Sequence, residues 1–251
     1  MSDHFALEIC VESLDCAIAA ERGEADRIEL CSDLAADGIT ASAGLMKAAR
    51  KYVRLPIHVI IRPRAGDFCY SAREFEIMEE DIRSAKQLGM DGLVLGILDA
   101  ERRIDVERTR KLVELGHPLP VTFHRAFDAS GHLHESLEAV IQTGSTRLLT
   151  SGGQRSAADN VAELAELVKA AGQRIAIMPG GGITATNVAR IVRETTAREI
   201  HTSLGVSRGS PAKYGRKANL DATGNHNDRR SASLETKIRK LRDLIATVAV
   251  V

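Results

Sequence analysis

Eight short apolar runs divide this chain, and each turns polar at its carboxyl end. They cover residues 5–11, 27–31, 57–61, 92–98, 121–123, 147–149, 175–178 and 199–202. A segment with helical spacing of apolar residues follows each run. Short runs alternating with helical patterns predict parallel strands joined by crossover helices. Eight such units in 251 residues match an α/β fold of one kind, the single-domain (β/α)8 TIM-type barrel. We read residues 1–251 as one domain, with no linker. That fold collects its chemistry at the carboxyl ends of its strands, so the polar residues found there are the first candidates for a site.

Local signals support the division. Gly23, Gly89, Gly116, Gly144 and Gly172 each fall shortly before the next run, where a left-handed helix cap favours a residue without Cβ. Ser71 and Glu74 are spaced as a capping box opening the third helix. Ser156 and Asp159 are a weaker version opening the sixth, and Thr184 is the expected N-cap of the seventh. Val161, Leu164, Val168 and Ala171 share one face of helix 6, as Leu234, Ile238, Leu241 and Ile245 do on helix 8. One stretch breaks the rhythm: residues 205–231 are polar and rich in Gly, Ser, Asn, Arg and Lys, and read as a long loop between strand 8 and helix 8.

Composition excludes some functions. Lys+Arg and Asp+Glu both number 34, so no net field draws the chain to nucleic acid or an anionic membrane. Aromatics are 3% with no Trp, which argues against base-stacking platforms. No run approaches the roughly 20 apolar residues of a membrane span. The first residues, Met-Ser-Asp-His, lack the basic and apolar regions of a signal peptide, so a cytoplasmic location is expected. Cys10, Cys16, Cys31 and Cys69 are then expected as free thiols.

Strand parity tells which side chains face the barrel interior. Ile9 and Val11 suit the helix-facing side, which turns Glu8 and Cys10 inward. Ile28 and Leu30 do the same for Glu29 and Cys31. His58, Ile60 and Arg62 share one parity in strand 3, as do Thr122 and His124 in strand 5, and Glu199, His201 and Ser203 in strand 8. Buried carboxylates must be paired, hydrated or bound to something. Arg62 is the expected counter-ion of Glu8 or Glu29. Glu8, Glu29 and His124 are acid–base candidates. The bland alternative is an internal salt-bridge network that only rigidifies the barrel.

Two glycine-rich segments follow neighbouring strands, Thr150-Ser151-Gly152-Gly153 and Pro179-Gly180-Gly181-Gly182. Consecutive glycines let backbone N–H groups approach a ligand, so Ser151, Gly152, Gly153, Gly181 and Gly182 are candidates to cradle an anion. Arg62 and Arg125 are candidates to clamp it. Against this, glycines also simply permit tight turns. In the segment His124-Arg125-Ala126-Phe127-Asp128, His124 is also a candidate metal ligand and Asp128 can orient either neighbour. No C-x-x-C or H-x-x-x-H spacing appears, so no zinc motif is present. Cys10 and Cys31 close adjacent strands at matching inward positions, and two thiolates suit a soft ion such as Cu(I). Either cysteine alone reads more simply as a small buried hydrophobe.

Ile28-Glu29-Leu30-Cys31, Ile61-Arg62-Pro63-Arg64, Phe123 to Asp128, Thr150 to Gly153 and Pro179 to Ile183 together resemble the CutC family, the copper homeostasis proteins. The resemblance runs from about Phe5 to about Leu204, with the motifs in the family's order. It implies a TIM-type barrel, a cytoplasmic location, self-association into dimers and a role in copper handling, with Cys31 as the leading copper ligand. Cys10 joins it only by strand parity. Three readings follow. One is a copper-binding protein centred on Cys31. Another is a barrel enzyme acting on a small anionic or phosphorylated metabolite. The third is a non-catalytic protein working through oligomer surfaces.

Overall fold

A computed structural model describes residues 5–204 and 226–249. Strands and helices alternate in the order β1 (Ala6–Val11), α1 (Leu14–Arg22), β2 (Arg27–Leu30), α2 (Ala43–Tyr52), β3 (Ile57–Ile60), α3 (Ala72–Gln87), β4 (Gly92–Leu95) and α4 (Val106–Gly116). They continue with β5 (Val121–Phe123), α5 (Leu133–Gln142), β6 (Arg147–Thr150), α6 (Val161–Ala171), β7 (Ala176–Pro179), α7 (Val188–Thr195), β8 (Glu199–Thr202) and α8 (His226–Ala249). The strands form one parallel sheet in the order β7-β6-β5-β4-β3-β2-β1-β8. This is the (β/α)8 barrel. The ring is nearly closed: β7 and β8 run side by side, but no ladder joins them among the described residues. Thr202 Oγ1 bridges the seam instead, donating to Ile183 O at 2.8 Å.

The alternation read from the sequence has a direct physical basis. Leu7, Ile9, Val11, Ile28, Leu30, Ile57, Val59, Leu93 and Leu95 are buried between the sheet and the helix ring. Burying each large aliphatic side chain contributes roughly 1.5–3 kcal/mol. Ala17, Ala20, Ala49 and Ala85 are fully buried on the helix faces that meet them, and their small size lets helix and strand approach. The register pairs Cys10 with Glu29 and Glu8 with His201 in adjacent strands, which stacks the inward residues in layers.

Several local expectations hold and several need correction. The capping box on α3 is complete: Ser71 Oγ accepts from Glu74 N at 3.3 Å, and Glu74 Oε2 accepts from Ser71 N at 2.7 Å. Gly89, Gly144 and Gly172 take positive φ at helix ends. Gly23 and Gly116 do not, because their role is steric. A Cβ would lie 2.9 Å from Ile238 Cβ at Gly23, and 2.6 Å from Leu93 Cδ1 at Gly116. Ser156 caps a short 3₁₀ turn (Ala157–Asp159) rather than α6, which starts after Asn160. Thr184 is not the cap of α7 either. Asn187 occupies that position, and its Oδ1 accepts from Thr184 N at 2.8 Å. Leu167, not Val168, completes the buried face of α6, whereas all four residues expected on α8 are buried. Helix α8 begins at His226, so residues 226–231 are helical rather than part of a loop. The rest of that expected loop, 205–225, lies outside the described residues. No helix among the described residues is long and apolar enough to cross a membrane.

Candidate functional site

The floor of the barrel is a closed ionic network. Arg147 grips Glu199 with two bonds, Nε to Oε2 at 2.5 Å and Nη2 to Oε1 at 3.0 Å. Arg27 Nη2 reaches the same carboxylate at 2.7 Å, while Arg27 Nε donates to Glu8 Oε2. The other Glu8 oxygen meets His201 Nδ1 at 2.7 Å. Burial would raise the Glu8 pKa, but Arg27 and His201 overcome it and hold this carboxyl well below its usual range. Burial opposes ionisation of Glu199 as well, and Arg147 outweighs it. Beside them His58 projects over Gly92, where a Cβ would come within 2.4 Å of the ring. Burial pushes the His58 pKa down to about 4, so the ring is neutral at pH 7.

The expected pairing of Arg62 with Glu8 or Glu29 is therefore wrong. Arg27, the register partner of Glu8 and of the same inward parity as Glu29, takes that place. Arg62 instead binds backbone: Nη1 donates to Ala36 O at 2.7 Å and Gly38 O at 2.8 Å, and Nη2 to Gly66 O at 2.9 Å. Arg62 lies two residues beyond the end of β3, where loop carbonyls take its guanidinium. Arg27, Arg147, Glu199 and His201 were not among the candidate site residues, although parity alone marks Glu199 and His201 as inward and extends to Arg27.

Above the floor sits a cluster of softer groups. Cys10 Sγ donates to Glu29 Oε1 at 3.1 Å and lies 3.6 Å from Cys31 Sγ, which contacts Val11 O at 3.5 Å. All four cysteines are free thiols. Cys10, Glu29 and His201, each buried, place one ligand atom apiece within 4.8 Å of one another. Contact with Cys31, then burial, raises the Cys10 thiol pKa well above its usual value. Burial, reinforced by the neighbouring Glu8 charge, raises Glu29. Burial disfavours a charged His201, but the Glu29 and Glu8 carboxylates reverse the direction and raise its pKa. Glu29 Oε2 is buried and has no hydrogen-bond partner among the described residues.

A cavity of about 490 Å³ opens above this cluster, lined by Cys10, Glu29, Arg62, His124, Arg125 and His201 among others. Glu8 does not line it, and both Glu8 oxygens are engaged. His124 follows β5 directly, and its Nδ1 accepts from Ala126 N at 3.2 Å. That acceptor role puts the ring proton on Nε2. Burial, helped by the Arg62 charge, pushes the His124 pKa down to about 3.

The loop after β6 has an internal anion of its own. Asp128 accepts from Thr150 Oγ1 at 2.5 Å, Ser151 Oγ at 2.8 Å, Ser151 N at 3.0 Å and Gly153 N at 3.1 Å. Gly152 N turns to Thr150 Oγ1 at 2.9 Å. The donors of Ser151, Gly152 and Gly153 thus face protein groups rather than the cavity. Asp128 also accepts from Arg125 Nε at 2.7 Å, and Arg125 Nη2 reaches Ser151 Oγ at 2.7 Å. Gly181 and Gly182 do line the cavity, with φ of 91° and 64°, and a Cβ on Gly181 would lie 3.1 Å from Arg125 Cζ. Only glycine fits there, because the guanidinium packs directly on the backbone.

Fold and site together define a single-domain (β/α)8 barrel with a charged floor, a buried thiol–carboxylate–imidazole cluster and an open mouth. The CutC family model matches residues 5–206. The chain belongs to the CutC family. It is 46% identical over 210 residues to the copper homeostasis protein cutC homolog of Homo sapiens, covering 84% of this chain and 77% of that protein. A family protein CutC of Chromobacterium violaceum is 42% identical over 240 residues, covering 95% and 97%. The crystal structure of a CutC from Streptococcus agalactiae superposes with a TM-score of 0.76 at 37% identity, covering 79% of this chain and 98% of that one. A thiamine phosphate pyrophosphorylase from Pyrococcus furiosus superposes at 0.61 with 15% identity and shares the fold.

Proposed function

We propose that this protein is a copper-homeostasis protein that carries Cu(I) as cargo between Cys10 and Cys31. The observation that carries the reading is the buried Cys10–Cys31 pair, 3.6 Å apart; His201 and Glu29 each bring a ligand atom within 4.8 Å of Cys10. Two metal–sulfur bonds of about 2.3 Å meeting near the tetrahedral angle place their sulfurs about 3.8 Å apart, close to this separation. Two thiolates form the donor set a soft ion selects over Mg²⁺ or Ca²⁺. The names of the relatives point the same way. Both thiols are buried, so a bound ion is shielded from water. The free thiols fit a reducing cytoplasm, and we place the protein there. Self-association into dimers is part of the same proposal.

Thiol ligands must lose their protons to bind, so affinity falls as pH falls. The test is anaerobic titration of the reduced protein with Cu(I) against a chromogenic Cu(I) chelator, repeated with Cys31→Ser and Cys10→Ser. We expect one Cu(I) per chain. Either substitution should weaken binding by more than the roughly 10–100-fold that loss of an outer ligand partner costs. Equal affinity in wild type and Cys31→Ser overturns the reading.

A further inference from the structure

We propose that the mouth cavity binds a small organic molecule by its carboxylate or phosphate group, held by Arg62, His124 and Arg125. The orphaned polar atoms point to it. Among the described residues, six buried side-chain polar atoms have no hydrogen-bond partner. Three of them, Glu29 Oε2, Arg62 Nε and His124 Nε2, belong to residues lining this cavity. Buried polar atoms are normally paired, and a cluster of exceptions at one place marks where a partner is missing.

The chemistry of the two nitrogens selects an anion, whereas Glu29 is tied to the Cys10 thiol in the cluster below. Arg62 Nε carries a hydrogen it can only donate, and three backbone carbonyls hold the rest of that guanidinium in place. His124 Nε2 is likewise a donor, because Nδ1 already accepts from Ala126 N. The Phe68 ring fixes both, lying 4.9 Å from Arg62 Cζ and 5.0 Å from the His124 ring. Arg62 is 3% exposed, and among the described residues no carboxylate lies within ion-pair distance of it. A buried cation without a counter-charge is costly, and an arriving oxyanion removes that cost. Arg125 adds Nη1, which makes no hydrogen bond among the described residues while Nε and Nη2 are engaged.

Size and lining make the ligand organic. About 490 Å³ exceeds what a lone inorganic anion fills and falls in the range of small-metabolite pockets. Leu34, Ile60, Phe68 and Leu149 supply apolar wall for a carbon skeleton. Cys10 lines the cavity but supplies none of the proposed anion contacts, so this inference does not depend on copper.

The test is isothermal titration of the reduced, metal-free full chain with inorganic phosphate, glycerol phosphate and malonate, and with glycerol as the uncharged control. We expect saturable 1:1 binding of at least one anion and none of glycerol. Phosphate probes alone binding, or malonate alone, separates the two sources of oxyanion. The Kd should rise at least tenfold in His124→Leu and in Arg125→Gln. If Arg125→Gln unfolds through loss of its Asp128 pair, His124→Leu decides the matter alone. No binding by any anion overturns the proposal, as does a Kd in His124→Leu equal to that of wild type. Because no metal is present, this result is read separately from failure of the copper site.

Discussion

The floor and the mouth of this barrel are built from the same residue types and behave as opposites. At the floor, two guanidinium groups, two carboxylates and an imidazole satisfy one another within direct hydrogen-bond reach. At the mouth, a guanidinium, a carboxyl and an imidazole each keep one buried atom without a partner among the described residues, and all three residues line a cavity. Buried charge is therefore not by itself a sign of a binding site. The discriminating feature is incompleteness beside a cavity: His58 Nδ1 at the floor is unpartnered too among the described residues, but His58 does not line the cavity. A finished network holds strands in register, whereas an unfinished one has room for a ligand.

The sharpest way to break this contrast is to damage the floor. Glu8→Gln should leave Arg27 and Arg147 sharing the single carboxylate of Glu199, and stability measured by urea unfolding should drop by about 3 kcal/mol. A loss below about 1 kcal/mol would show that the floor is not the rigid half. Next in size is Gly92→Ala. Its Cβ would lie 2.4 Å from the His58 ring, and overpacking of this kind costs about 1–3 kcal/mol. An unchanged melting curve would mean that the His58 ring moves aside freely.

The mouth is sharpened by pH. His124 has its folded pKa at about 3, below the 6.5 of an ordinary imidazole. Between those values the unfolded chain binds more protons than the folded one, so stability is lost as pH falls. The stability of wild type relative to His124→Leu should therefore decline by about 1.4 kcal/mol per pH unit across the window from about 6 to about 4. A pH-independent difference would place His124 in contact with water. The neutral His58 acts in the same direction, but it titrates in both proteins and cancels in the comparison.

Much of this was legible in the residues. Period-2 alternation in 27–31 put Glu29 and Cys31 inward because Ile28 and Leu30 could face only the helices. The same logic reached Glu8, Cys10 and His201. It does not carry over to Arg62, whose inward parity suggests a pairing with Glu8 or Glu29 that the structure does not contain. Parity states a face, not a height along the barrel axis, and the register puts Arg27 beside Glu8 instead. It also could not foresee that Asp128 would claim the Ser151 and Gly153 donors, because that contact spans β5 and β6 through loop geometry.

Residue order is enough to set the eight-fold alternation and the inward faces of the strands. These follow from side-chain periodicity and from the need to bury aliphatic surface, both local properties of the chain. Tertiary structure alone decided which acids are neutralised, which donors stay open and where two thiols meet. Those outcomes depend on strand register and barrel stagger, which bring together residues as far apart as Glu8 and His201.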